Sequence, residues 1–163
     1  MPAYFPIFIN MEQKRCLVFG AGKIALRRIR ILLRYGAQVK VTALFICDEI
    51  ENLKKSYPGQ LQTEQRAYCM GEIQAEDTDF VLAATDDPKV NAHISTECRR
   101  NKIPVSNASD SSQCTFYFPA LAELDNLVIG ITSTDGNHKK AAAFRRQLCQ
   151  QGLKKQSERD GTD

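Results

Sequence analysis

Four short stretches carry residues that could do chemistry. Gly20-Ala21-Gly22-Lys23-Ile24-Ala25 fits the spacing G-x-G-x-x-G/A. The first glycine permits a tight turn and the second lets backbone approach a pyrophosphate. The small third position, Ala25, lets a helix pack closely on its strand. A helix starting here offers free N–H groups and partial positive charge to phosphates. In Thr85-Asp86-Asp87-Pro88, the Thr85 hydroxyl could bond a cofactor, and Asp87 reads as a helix N-terminal acid. Asp86 stands open between those two roles.

Ser106-Asn107-Ala108-Ser109-Asp110 would leave a strand at the same sheet edge, with Asn107 and Asp110 over the nicotinamide end. A carboxylate there can take or give a proton beside a hydride transfer. From residue types alone an ordinary Asx turn is the commoner outcome. The fourth stretch, His138 to Arg146, clusters Lys139, Lys140, Arg145 and Arg146. It is either a solvated helix face or a dock for a polyanion. His93, inside a predicted helix, reads as structural.

The surrounding elements decide whether these stretches can meet. Arg15 to Phe19 reads as a short buried strand, Lys23 to Tyr35 as a helix stopped by Gly36, and "AQVKVTAL" as a second strand with Val39 and Val41 facing one way. That is a βαβ unit. Asp48 to Tyr57 predicts a polar helix ended by Pro58-Gly59, and "QTEQRAY" a third strand. "DFVLAAT", the helix "DDPKVNAHISTECRRNK" with its Val90, Ile94 and Cys98 stripe, and "IPVSN" complete a second such unit. The expected fold is α/β: a Rossmann-like, doubly wound parallel sheet. "TFYFPALAEL" and "DNLVIGITST" predict an antiparallel hairpin, followed by a helix from His138 to about Leu153 and a frayed polar tail. The expected division is 1–112 for nucleotide binding, 113–153 for dimerisation and substrate, and 154–163 for the tail.

The second strand ends Ala43-Leu44-Phe45, without an acid to grip a ribose or an arginine for a 2′-phosphate. Backbone around these residues must hold the ribose, and NAD is expected over NADP. A net charge of +3 is too mild to argue for nucleic acid. The six cysteines show no C-x-x-C spacing, so neither disulfides nor a metal centre is expected; buried thiols in a reducing compartment fit better. With neither a signal peptide nor an apolar span, the expected location is the cytoplasm, away from membranes.

Three segments together resemble the precorrin-2 dehydrogenase family, which includes the N-terminal domain of siroheme synthase. They are "YFPIFINMEQKRCLVFGAGKIALRRIRILLRYGAQVKVTA", "FVLAATDDPKVNAHISTECRRNKIPVSNASD" and "CTFYFPALAELDNLVIGIT". The resemblance implies NAD-dependent oxidation of precorrin-2 to sirohydrochlorin, on the way to siroheme or cobalamin, by a homodimer. It gives Asp110 the role of general acid/base. It assigns nucleotide contacts to Gly20, Ala21, Gly22, Lys23, Ile24, Leu44, Phe45, Thr85 and Asp86. The tetrapyrrole's carboxylates would fall to Asn107, Ser133, Lys139, Lys140, Arg145 and Arg146. Many relatives carry Ser-Gly-Gly-x-Ser-Pro after the hairpin, and of that only Ser133 is kept in "STDGNHKK". The family resemblance leaves two alternatives: a dehydrogenase that also inserts iron, or a non-catalytic NAD- or tetrapyrrole-binding protein.

Overall fold

A computed structural model describes residues 5–124 and 126–160, with only the backbone of 152–160. It separates into two compact units: Ile9–Tyr117, and the chain from Phe118 onward together with residues up to Phe8.

In the first unit, β1 (Arg15–Phe19), β2 (Gln38–Ala43), β3 (Leu61–Gln65), β4 (Phe80–Ala83) and β5 (Val105–Asn107) form one parallel sheet in the order β3-β2-β1-β4-β5. The helices α1 (Lys23–Arg34), α2 (Asp48–Ser56) and α3 (Pro88–Arg100) connect them. This is the doubly wound, Rossmann-like arrangement expected. The strand order reverses between β1 and β4, which places the switch point beside the glycine turn. Val39 and Val41 are both buried, and Ile94 and Cys98 pack with Phe19, Val81, Ala83 and Val105 in one core cluster.

No helix joins β3 to β4; residues 66–79 make the crossover as a loop. The buried Glu97 of α3 anchors it, accepting from the Tyr68 hydroxyl and from the amides of Gly71 (2.9 Å) and Ile73 (2.7 Å). Tyr68 packs edge-on against Phe19, with ring centroids 5.2 Å apart. The last parallel strand holds "VSN" alone, and its neighbour "TFYF" is not the start of the hairpin. Thr115 instead bonds back to Val105, amide to carbonyl at 2.8 Å, with its hydroxyl accepting from the Val105 amide at 2.8 Å. Pro119, which has no N–H to give a ladder, marks the edge of the true strand.

The second unit contains the hairpin β6 (Ala120–Leu124) and β7 (Leu127–Ile131), paired antiparallel, and α4 (His138–Asp160). The backbone of α4 runs on through 154–160, so those residues are helical rather than a frayed tail. Their types, rich in Lys, Gln, Glu and Arg, are good helix formers. Residues 161–163 lie outside the described residues. The cysteines are all free. Cys16 and Cys98 are buried as expected, but Cys69 is exposed, because the crossover is a loop rather than a packed element. His93 is likewise exposed, on the outer face of α3.

Candidate functional site

The carboxyl ends of the central strands stop at one level. Phe19 is paired in register with Ala83, and Ala83 with Asn107. Backbone bonds stitch the departing loops together: Gly20 N–H to Thr42 O (2.9 Å), Ala84 N–H to Phe19 O (2.8 Å) and Ala108 N–H to Ala83 O (2.8 Å). The glycine turn, the Thr85 loop and the Asn107–Asp110 loop therefore rise from adjacent strands at the edge where such sheets bind ligands.

The two glycines of the turn have different physical reasons. Gly20 has φ +107°, and an added Cβ would lie 2.1 Å from the Ala84 carbonyl oxygen. Gly22 has an ordinary extended backbone, with φ −78°, and an added Cβ would meet nothing within 4 Å. It is the N-cap of α1, where no side chain supplies a cap and no acid sits in the first turn. Open space above an uncapped helix start is the cradle a pyrophosphate requires. Lys23 and Ile24 are exposed beside it and Ala25 is fully buried, as close packing demands. Beyond β2, Leu44 and Phe45 are 73% and 71% exposed.

Thr85 is held by one side chain. Asn91 Oδ1 accepts from the Thr85 amide (3.0 Å) and hydroxyl (2.8 Å), and Asn91 Nδ2 donates to the Thr85 carbonyl (3.0 Å). The Thr85 hydroxyl is thereby engaged within the protein. Asp87 is the N-cap of α3, its carboxylate accepting from the Lys89 amide at 2.8 Å, and Pro88 opens the helix. Asp86 is exposed and takes no part in that cap.

Asn107 is buried at the end of β5, and its Oδ1 accepts from the amides of Ser109 (2.9 Å) and Asp110 (3.2 Å). Asp110 in turn accepts from the Ser112 hydroxyl (2.7 Å) and amide (2.9 Å), starting a single 3-10 turn over Ser111–Gln113. The Ser112 hydroxyl and amide hold the Asp110 carboxyl below the ordinary carboxylate range. It is ionised at neutral pH, the form that accepts a proton.

Ser133, Lys139, Lys140, Arg145 and Arg146 belong to the second unit. The Ser133 hydroxyl donates to Asp135, and Asn137 Oδ1 accepts from the Lys140 amide at 3.0 Å, capping α4. Lys139, Lys140 and Arg146 are exposed and Arg145 half-buried.

Residue types alone do not reveal Asn91, Ser95 or Glu97 as parts of the framework. Their one signal is position: polar side chains on the buried face of α3. Among the described residues, no group of three or more His, Cys, Asp or Glu could hold a metal ion. None of the described helices is long and apolar enough to cross a membrane.

Residues 7–120 match the family described as "Putative NAD(P)-binding". The chain belongs to that family. A nicotinamide dinucleotide is the cofactor class of its members, and the uncapped α1 start with the open space at Gly22 fits one. Among curated relatives, the siroheme synthase of Nitrosomonas europaea is 34% identical over 145 residues, covering 89% of this chain and 30% of the relative. The probable multifunctional siroheme biosynthesis protein HemA of Ruminiclostridium josui is 32% identical over 148 residues, covering 88% and 27%. The chain thus spans less than a third of the length of these relatives. The solved structure of SirC, a precorrin-2 dehydrogenase, superposes with a TM-score of 0.69 at 26% identity, covering 91% of this chain and 69% of that one. The resemblance drawn from the sequence motifs is met by these relatives.

Proposed function

We propose that this NAD(P)-binding family member oxidises precorrin-2 to sirohydrochlorin, with NAD as the hydride acceptor. The reaction removes a hydride and a proton: precorrin-2 and NAD⁺ give sirohydrochlorin, NADH and H⁺. The bound cofactor supplies the electron sink. The observation that carries the proposal is the arrangement of the glycine turn and the Asn107–Asp110 loop on the same edge, with β4 alone between their strands.

The chain's own residues divide the work. Backbone at Gly20, Ala21, Gly22, Lys23 and Ile24 receives the pyrophosphate, and Leu44 and Phe45 flank the ribose and adenine. Thr85 and Asp86 border the cofactor from the β4 side. Asp110, ionised at neutral pH, accepts the proton released as the hydride leaves. Ser133 and the four cations of α4 bind acetate and propionate groups of the substrate. Asn107, expected beside them, is buried with its carboxamide engaged within the protein and instead shapes the Asp110 loop. NAD is preferred over NADP because Leu44 and Phe45 offer no cation for a 2′-phosphate. The first turn of α2 beyond them is acidic, with Asp48, Glu49 and Glu51. The protein acts as a homodimer in the cytoplasm, where its free thiols stay reduced.

The deciding assay is anaerobic. Precorrin-2 and NAD are mixed with the protein, and NADH and the tetrapyrrole spectrum are followed together, with Asp110→Asn alongside. Coupled NADH and sirohydrochlorin, abolished in the variant and slower with NADP, support the proposal. Binding of both ligands without turnover overturns it in favour of a carrier.

A further inference from the structure

The loops after β4 and β5 are separated by the whole of α3, yet a closed ring of hydrogen bonds joins them. Asn91 is completely buried. Besides its three bonds to Thr85, its Nδ2 donates to Ser109 Oγ at 3.1 Å. Both hydrogens and both lone-pair positions of this carboxamide are then used. Ser109 Oγ donates onward to Asn107 Oδ1 at 2.8 Å, the same oxygen that accepts the Asp110 amide. Asn107 Nδ2 donates to Ser95 Oγ at 3.0 Å, and Ser95 donates to the Asn91 carbonyl at 2.8 Å. Asn91 and Ser95 stand one helical turn apart in α3, so the ring closes on a rigid element.

We infer that Asn91 is a positioning residue: through Ser109 and Asn107 it fixes the nucleotide-side Thr85 loop and the Asp110 loop relative to each other. Thr85 is bound to Asn91 much as a neighbouring strand would bind it, amide and carbonyl together. The Asp110 amide is bound by Asn107 in the same ring. A shift of either loop must break a hydrogen bond of this ring. Ser109 is exposed, but Asn91, Ser95 and Asn107 are buried, and there an unmade bond is costly. A hydride donor, its acceptor and a proton acceptor must keep one geometry, and misplacement by about 1 Å costs on the order of 100-fold in rate. The catalytic consequence rests on the proposed dehydrogenase activity; the coupling of the two loops does not.

The experiment therefore has two arms. In the first, amide hydrogen exchange is compared for the wild type, Asn91→Ala and Ser109→Ala. Exchange at the Asp110 amide should rise at least tenfold in Asn91→Ala, although the two residues do not touch, and Ser109→Ala should reproduce it. The β1 amides should stay protected. A rise at Thr85 alone, no rise at all, or a uniform rise that includes β1 overturns the coupling.

In the second arm, Ser109→Ala should lower kcat about tenfold, as expected for the loss of the two hydrogen bonds that join Asn91 to Asn107, which in turn accepts the Asp110 amide. The Kd for NADH, read by fluorescence, should stay within twofold, and Ser109→Thr should restore turnover. Equal loss in Ser109→Thr, or unchanged kcat in Ser109→Ala, overturns the positioning role. If the exchange arm succeeds and the wild type lacks turnover, the dehydrogenase reading fails while the coupling stands.

Discussion

A methyl group on Gly20 would stand 2.1 Å from the carbonyl oxygen of Ala84, whereas one on Gly22 would meet no protein atom within 4 Å. The first glycine is needed by the fold and the second by whatever occupies the open space. Gly20→Ala should destabilise the protein by about 2–4 kcal/mol through positive φ and a backbone clash. Gly22→Ala should leave Tm within about 2 °C, since surface changes away from packing contacts are nearly neutral, while weakening NADH binding at least tenfold. Paired thermal melts and fluorescence titrations check both. If Gly22→Ala binds NADH like the wild type, the pyrophosphate is not held at this turn.

That contrast also shows what the sequence conveyed and what it did not. Gly20-x-Gly22-x-x-Ala25 announces a strand–turn–helix, because its constraints lie within six residues of chain. The parallel strands were legible for the same reason: buried Val39 and Val41, or the run Phe80–Ala83, carry their pattern locally. Asn91 was not legible as a clamp, since its partners Thr85 and Ser109 become neighbours only once β4 and β5 pair. Glu97 was hidden likewise behind a crossover loop that no local signal distinguishes from a weak strand. "TFYF" looked like the hairpin because its residue types suit strands, but Thr115 is bonded to Val105.

The Asp110 carboxyl is stabilised as an anion by a hydroxyl and an amide from the same residue, Ser112. Its titration midpoint, followed by carboxyl ¹³C NMR, should lie below that of an unperturbed aspartate. Ser112→Ala removes the hydroxyl and keeps the amide, so the midpoint should move up toward the ordinary value, which is about 3.9. The acid limb of the pH–rate profile should move in the same direction. No movement in either measurement would mean that Ser112 does not set the charge state of Asp110.

Glu97 should make the crossover loop acid-sensitive. Burial pushes its carboxyl up, but the Tyr68 hydroxyl and the Gly71 and Ile73 amides more than offset this, leaving it below the ordinary range. A folded-state pKa below the unfolded value gives stability that is present above the unfolded pKa, near 4.3 for Glu, and lost as pH falls through the folded one. Glu97→Gln sets an amide N–H against backbone N–H donors, at a cost of about 2–3 kcal/mol. Denaturant unfolding at pH 7 and pH 3.5 checks this. The gap between wild type and variant should narrow in acid, and a constant gap would remove Glu97 as its source.

The cations of α4 distinguish a dock from a solvated face. Arg145→Glu/Arg146→Glu should weaken binding of a polycarboxylate tetrapyrrole at least tenfold, as loss and reversal of charge-assisted bonds require. Wild-type binding should weaken with added salt, and more steeply than that of the variant. The Kd for NADH should not change, because these residues lie outside the nucleotide-binding unit. Tetrapyrrole affinity that ignores both salt and charge reversal would leave the cluster as ordinary helix surface.

The second unit exposes Leu127 (63%), Val128 (41%) and Phe144 (51%), large apolar side chains that a solvated monomer gains nothing by displaying. Leu127 and Val128 occupy the start of β7 and Phe144 the second turn of α4, so hairpin and helix both contribute. The proposed homodimer would cover them, and replacing these apolar side chains with like charges should then separate it. Sedimentation velocity at micromolar protein should show a dimer for the wild type and a monomer for Leu127→Glu/Phe144→Glu. The NADH affinity of that variant should stay within twofold, since the glycine turn and its helix belong to the other unit. A wild type that sediments as a monomer would leave these side chains to another partner, and a variant that remains dimeric would move the interface elsewhere.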